Sequence, residues 1–226
     1  MTAEDRAKRD ARKGFGHREL EEIEAKSSVR PPVVFEVVRR EGETEMRRPV
    51  SALLLSGLAA GFAIGFSVLS EAMLRMRLPD APWRALVESF GYSVGFVIVM
   101  LGQMQLFTET TITPVASALI RRSLDRLYGL LRVWVVVLGA NVAGATMFAA
   151  YALHAGALDA ELVAAMLSIS AEATGYGFHQ TLARAVPAGW MIAALVWIQP
   201  VAGASRALVI VTLTYVIALA GFSHVV

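Results

Sequence analysis

From Phe90 to Ile120 the chain reads FGYSVGFVIVMLGQMQLFTETTITPVASALI, a membrane-length run that is interrupted at its middle. A helix crossing hydrocarbon needs about 20 apolar residues. Gln103, Gln105, Thr108, Glu109, Thr110 and Pro114 fall where such a helix would be deepest. Peptide groups released from a helix at that depth must be buried in protein or line a wet cavity. A broken span is therefore a candidate place for moving something across. Thr108 and Glu109 are read as opening a second half-helix after the kink-prone stretch from Gly102. Its first turn would aim unpaired N–H groups and the positive end of its dipole at the pathway, attracting an anion without a full buried charge. The Thr108 hydroxyl either caps that half-helix or donates to a passing ion.

The rest of the chain agrees with a membrane setting. Of its 226 residues 56% are hydrophobic, and the mean hydropathy is +0.55. That is too apolar for an ordinary soluble domain. Cysteine is absent, which excludes disulfides and thiolate metal sites. Charge concentrates in residues 1–48, read as a charged cytoplasmic tail followed by a short helix carrying Val33, Val34, Val37 and Val38. That helix either lies on the membrane surface or serves as a soluble linker. Residues 49–226 are read as the transmembrane domain.

Five spans are expected, at about 50–70, 86–119 (broken), 131–153, 185–203 and 207–222. One set of loops carries Arg47, Arg48, Arg121, Arg122, Arg126, Arg132 and Arg206, the other Arg75, Arg77, Arg84 and Arg184. That bias favours a cytoplasmic N-terminus. Glu71 is placed in a solvated turn, Glu172 and Arg184 in an outer vestibule. His154 and His179 have no partners at metal-ligand spacing, so no metal or other cofactor is expected. Gly57, Gly61 and Gly65, Gly91 and Gly95, and the pairs Gly139/Ala143 and Ala140/Gly144 form small-residue stripes. Such stripes let helix backbones approach closely, within a protomer or between protomers.

The end of the chain supplies a second candidate. Gly221-Phe222-Ser223-His224 places a histidine just past a helix. Histidine titrates near neutrality and in a pore can exchange a proton with a weak acid; at an interface it is simply a polar anchor. GFSH falls where LFTET falls in the first half, as an inverted repeat with two broken helices requires.

Five stretches in order, SGLAAGFAIGF, LGQMQLFTETTITPVA, LGANVAGATMF, VWI followed by GASR, and AGFSHVV, resemble the formate/nitrite transporter family. The long charged tail suggests its subgroup of formate-transporter-like inner-membrane proteins. An aquaporin would carry paired Asn-Pro-Ala boxes, which this sequence lacks. The resemblance implies an all-α, multi-pass, aquaporin-like inverted repeat with helices 2 and 5 broken, in the bacterial inner membrane. It also implies a homopentamer with one pore per protomer, passing a small monovalent anion such as formate or nitrite, or the conjugate acid. By matching position, Leu106, Phe107 and Thr108 form the loop in the broken second helix. His224 is then the pore histidine, Tyr92 and Phe96 fall where the family places pore-narrowing side chains, and Phe222 and Glu109 are counted with the pore residues. Neither a nucleic-acid partner nor an enzymatic activity is expected, since no nucleophile–base or metal-ligand set is visible.

The chain departs from the family pattern at four places: Ser223 replaces an acidic residue, Gly189 an asparagine, Gly177 lies near the place of a lysine, and Glu109 replaces a small neutral residue. Each weakens an anion site. They leave a pore for a neutral solute, or a non-transporting scaffold or stress-response protein on the same fold, as rival readings. Because the family has six spans and this sequence stops two residues after His224, a further half-helix and a sixth span are expected downstream.

Overall fold

The computed structural model describes residues 16, 30–120 and 123–223. It is built from helices: α1 (Pro31–Arg47), α2 (Val50–Arg77), α3 (Arg84–Leu101), α4 (Ile112–Ile120), α5 (Leu124–His154), α6 (Ala160–Thr174), α7 (Phe178–Ile198) and α8 (Arg206–Leu219). Among the described residues α2, α3, α5 and α7 are long and apolar enough to cross a membrane, while α8 is shorter. Pro49 separates α1 from α2: it forces Arg48 into extended backbone (φ −62°, ψ 140°), which α1 cannot continue. Ser123 opens α5, its side chain accepting from the Arg126 N–H at 3.3 Å.

Several expected boundaries move. The first span runs to Arg77, so Glu71 lies inside α2 rather than in a turn. The third begins at Leu124 and the fourth at Phe178, each about two turns earlier than the hydrophobic run alone indicates. The segment 154–180, read as a loop, contains the 15-residue helix α6. Thr108 and Glu109 do not open the second half-helix, which starts at Ile112 after a series of turns. Pro114 is tolerated there because N–H groups of a first helical turn have no intrahelical partner.

The glycine stripes explain how tightly the bundle closes. A Cβ on Gly61 would overlap the carbonyl of Asn141 on α5, and one on Gly144 the carbonyl of Leu58 on α2. Gly57 and Gly65 face α5 in the same way, against Ala140 and the Phe148 ring. Gly91 and Gly95 let α3 lie on α2 near Ser70–Glu71 and Ala63–Ser67. Of the two stripes on α5, only Ala140/Gly144 faces α2; a Cβ on Gly139 meets nothing, so that stripe faces outward.

Charges tie the two ends of the bundle. On the α1 side, Glu43 reaches Arg126 at 3.1 Å, and Arg126 Nη1 donates to the Ser117 hydroxyl at 2.8 Å, joining α1, α5 and α4. Val34, Val38 and Gly42 form the buried stripe of α1, with Gly42 pressed on the Thr113 carbonyl, whereas Val33 and Val37 stay exposed. The helix therefore packs against the bundle rather than lying free. At the opposite end Arg75 bridges Glu88 at 2.6 Å and Glu172 at 2.7 Å, fastening α6 across α2 and α3.

Two outcomes follow. Gly61→Leu is expected to cost at least the 1–3 kcal/mol or so typical of overpacking, and Gly139→Leu almost nothing. Thermal unfolding of the two variants in detergent checks this. The hydrogen bond from Arg75 holds the Glu172 carboxyl below its usual range, against a smaller opposing effect of burial. Its contribution is thus complete above the ordinary carboxylate range and is lost as pH falls through the depressed value. Amide exchange across Ala160–Thr174 is expected to quicken on that acidification, and to be quick already at neutral pH in Glu172→Gln.

Candidate functional site

The break after α3 is a helix C-cap followed by a clamped loop. Gly102 N–H donates to Ile98 O at 2.9 Å, Gln103 N–H to Met100 O at 3.3 Å, and Met104 N–H to Val99 O at 3.0 Å. Gln103 takes the left-handed conformation this cap requires, with φ 51°, and among the described residues it alone does so without being glycine. The loop beyond it finds its partners in side chains from two other helices. Asn141 on α5, fully buried, accepts from the Phe107 N–H at 2.8 Å. It donates to Gln105 O at 2.8 Å and to Gly57 O at 2.9 Å. Ser56 on α2 accepts from the Gln105 N–H at 3.0 Å. Leu106 O takes the N–H groups of Glu109 at 3.1 Å and Thr110 at 3.0 Å. The peptide groups freed by the break are thus paired inside protein, as hydrocarbon demands.

The second break repeats the first. Ala220 N–H donates to Val216 O at 3.0 Å, Gly221 N–H to Ala218 O at 2.9 Å, and Phe222 N–H to Ile217 O at 3.0 Å, with Gly221 at φ 63°. The bonding pattern matches residue for residue, so Gly221 corresponds to Gln103, Phe222 to Met104 and Ser223 to Gln105. The register is therefore set three residues earlier than a match of GFSH to LFTET. Counting on, Leu106 pairs in sequence with His224, which lies outside the described residues. The half-helices cross where the Thr214 hydroxyl donates to Ser93 Oγ at 2.9 Å.

Between the breaks sits an apolar cluster. Phe96 and Leu106 are fully buried with Ile192, Leu195, Ile210 and Ile217, and Tyr92 and Phe222 pack against them. The Tyr92 and Phe96 rings lie 5.1 Å apart. Four of the residues singled out in the sequence thus meet in one place. Phe107 does not join them: it packs with Leu53, Val133 and Val137, its ring 6.3 Å from that of Trp134. Thr108 makes no capping bond, and its hydroxyl is buried without a hydrogen-bond partner among the described residues. Glu109 Oε1 is in the same condition, its carboxyl facing a cavity on the α1 side.

Two polar groups, Asn141 and Arg184, carry more than the sequence reading gave them. Asn141 stands mid-way along a 31-residue helix, and a polar residue at such depth is itself a signal of an inward task. Arg184, expected in an outer vestibule, belongs to α7. Its Nε donates to Gly221 O at 2.8 Å, and its guanidinium carbon lies 3.9 Å over the Tyr176 ring. It thus sets a positive charge on the C-terminal end of α8. Gly189 faces open space, with nothing near a Cβ placed there.

The sequence profile described as formate/nitrite transporter matches residues 32–226. The chain belongs to that family. Inner membrane protein YfdC of Escherichia coli (strain K12) is 35% identical over 198 residues, which cover 87% of this chain and 64% of that protein. The chain thus spans a little under two thirds of its relative's length. A solved pentameric formate channel with formate bound superposes with a TM-score of 0.69 at 21% identity, over 77% of this chain and 70% of that one. The fold is therefore the formate-channel fold, an aquaporin-like inverted repeat in which the second and fifth spans are broken. The family is one of membrane transporters and channels, not of enzymes.

Removing the clamp tests its weight. Asn141→Leu orphans the Phe107 N–H and the carbonyls of Gln105 and Gly57, each at about 1–3 kcal/mol. It is expected to lower the melting temperature far more than Ser56→Ala, which orphans one N–H. Gln103→Gly is expected to raise it, since a non-glycine residue in left-handed backbone costs roughly 1–2 kcal/mol.

Proposed function

We propose that the protein is a transport pathway for small monovalent anions of the formate and nitrite class, crossing as the anion or the conjugate acid. In this reading it is a homopentamer with one pathway per protomer, set in a bacterial inner membrane with α1 in the cytoplasm. Residues 1–48 form a tail and an adjoining helix, and residues 49–226 the transport domain. The observation that carries the reading is the meeting of two matched helix breaks at one apolar cluster; the first break also buries a Thr108 hydroxyl without a partner among the described residues, and Arg184 bonds Gly221 O at the second. A bare anion is strongly disfavoured in an apolar constriction, and its neutral acid much less so. Tyr92, Phe96, Leu106 and Phe222 supply the constriction, Thr108 orients the solute, and His224 exchanges the proton. Phe107 holds the loop from behind.

Arg184 restores in part what the missing lysine removes, because a guanidinium at the end of a half-helix raises the local anion concentration. Glu109 supports a second reading, a pore for a small neutral solute, since a carboxylate beside the pathway repels anions.

Proteoliposomes holding the full-length protein discriminate the two. Formate or nitrite flux that falls roughly tenfold in Thr108→Val, the worth of about 1.4 kcal/mol, and that depends on the histidine, dropping in His224→Ala, supports the first. Arg184→Gln is expected to slow anion entry several-fold at low salt and less at high salt. Osmotic swelling with neutral solutes and no anion flux would replace the first reading by the second.

A further inference from the structure

The constriction does not open directly to the α1 side of the molecule. A cavity of about 280 Å³ lies between, and Met100 and Met104 belong both to its wall and to the apolar cluster. Its polar lining comes from separate elements: Glu41 and Glu45 on α1 with Arg48 just beyond, Gln105 and Glu109 from the first break, Gln199 after α7, and Arg206 at the start of α8. Three of these residues present a buried atom without a hydrogen-bond partner among the described residues: Gln105 Oε1, Glu109 Oε1 and Gln199 Nε2. Gln105 is only 5% exposed. Native interiors rarely leave such atoms unpaired, so their convergence on one cavity marks a place for a polar occupant.

The charges around the cavity are unequal. Three carboxyls face two guanidiniums. Arg48 Nε lies 3.4 Å from Glu45 Oε2, Arg206 acts electrostatically on Glu41, and Arg206 Nε also donates to Gln199 O at 3.2 Å. Burial pushes the Glu41 and Glu45 carboxyls above their usual range, with Arg206 and Arg48 pulling each back. Glu109 is the surplus carboxyl, and it belongs to the first break, its N–H bonded to Leu106 O.

We propose that this cavity is a binding site for a small monocarboxylate in which Glu109 is the proton donor on the α1 side. The arriving carboxylate accepts the Glu109 proton: the Glu109 O–H bond breaks as the O–H bond of the neutral acid forms. Glu109 is left as a carboxylate, which Glu45 and Glu41 reprotonate. Gln199 Nε2 donates to the bound carboxylate, and the uncharged acid proceeds to Leu106. A residue that looks hostile to anions thereby becomes the group that discharges them. The inference rests on the chain being a weak-acid pathway.

The test uses the full-length protein in liposomes with formate as the probe, comparing wild type, Glu109→Gln and Glu109→Asp from pH 5 to pH 8. Glu109→Gln keeps shape and hydrogen bonding but carries no proton, and its melting temperature confirms folding. Without the donor, flux tracks the neutral acid already present in solution, falling about tenfold per pH unit above the acid's own pKa. Wild type is expected to show a flatter profile, Glu109→Gln the steep one with at least a tenfold deficit at pH 7, and Glu109→Asp an intermediate one. Identical profiles in wild type and Glu109→Gln overturn the inference while leaving transport standing. Should wild type carry no formate at any pH, the transport reading fails, and calorimetry then decides the site alone. Formate binding at pH 8 with proton uptake that vanishes in Glu109→Gln upholds it; absence of binding, or uptake unchanged in the variant, overturns it.

Discussion

One asparagine side chain holds the broken span in place. Asn141 offers three bonds to three backbone groups, on α2 and on both sides of Leu106. In water a loop at Gln105–Phe107 would satisfy itself with solvent. In hydrocarbon it has no such recourse, and each unpaired peptide group there is strongly destabilising. The clamp works only because α2 and α5 lie almost backbone to backbone. The glycines at 57, 61 and 144 permit that approach, and Asn141 sits at the closest point. The small-residue stripes and the break are therefore one device: the first brings the asparagine within reach, the second gives it something to hold.

The two ends of the molecule are organised differently. On the α1 side, Glu43, Arg126 and Ser117 lash α1 to the short half-helix α4, and the Arg132 side chain donates to the carbonyls of Met46 and Arg48. At the other end Arg75 gathers Glu88 and Glu172. The half-helices between are too short to anchor themselves by length, so these polar knots at the rims fix where the breaks fall. The exposed faces of Val135, Val142, Met147, Phe178 and Trp190 leave a broad apolar exterior suited to lipid or to neighbouring subunits.

Much of this was legible in the amino-acid order. Polar residues in the middle of an apolar run located the first break to within a few residues, because nothing else explains them at that depth. The glycine spacing named the packing faces of α2 and α3, while of the two stripes on α5 only Ala140/Gly144 packs within the bundle. Tyr92 and Phe96, read as pore-narrowing, meet Leu106 of the broken-helix loop and Phe222 in one cluster. Other features were not legible for physical reasons. Phe107 neighbours Leu106 and Thr108 in sequence, but a turn sends its ring to the opposite side of the loop, and turn geometry is poorly encoded by residue type. The half-helix starts only at Ile112, because the preceding residues fold back in turns: the Glu109 and Thr110 N–H groups and the Thr110 hydroxyl reach Leu106 O, and the Thr111 hydroxyl reaches Thr108 O. The ends of α2, α5 and α7 extend into charged sequence, since arginine can shelter its stem on the bundle while its head stays polar. Arg184 looked like a loop residue for the same reason.

The two helix breaks share a pattern of peptide hydrogen bonds but not of side chains: Gln103 stands against Gly221, and Gln105 against Ser223. Pseudo-symmetry lives in the backbone alone, which frees the two mouths to differ chemically. One is rich in carboxyls; the other carries a guanidinium clasped to the end of a half-helix. The two breaks thus meet their surroundings with different charge, an asymmetry written in side chains on a backbone that repeats itself.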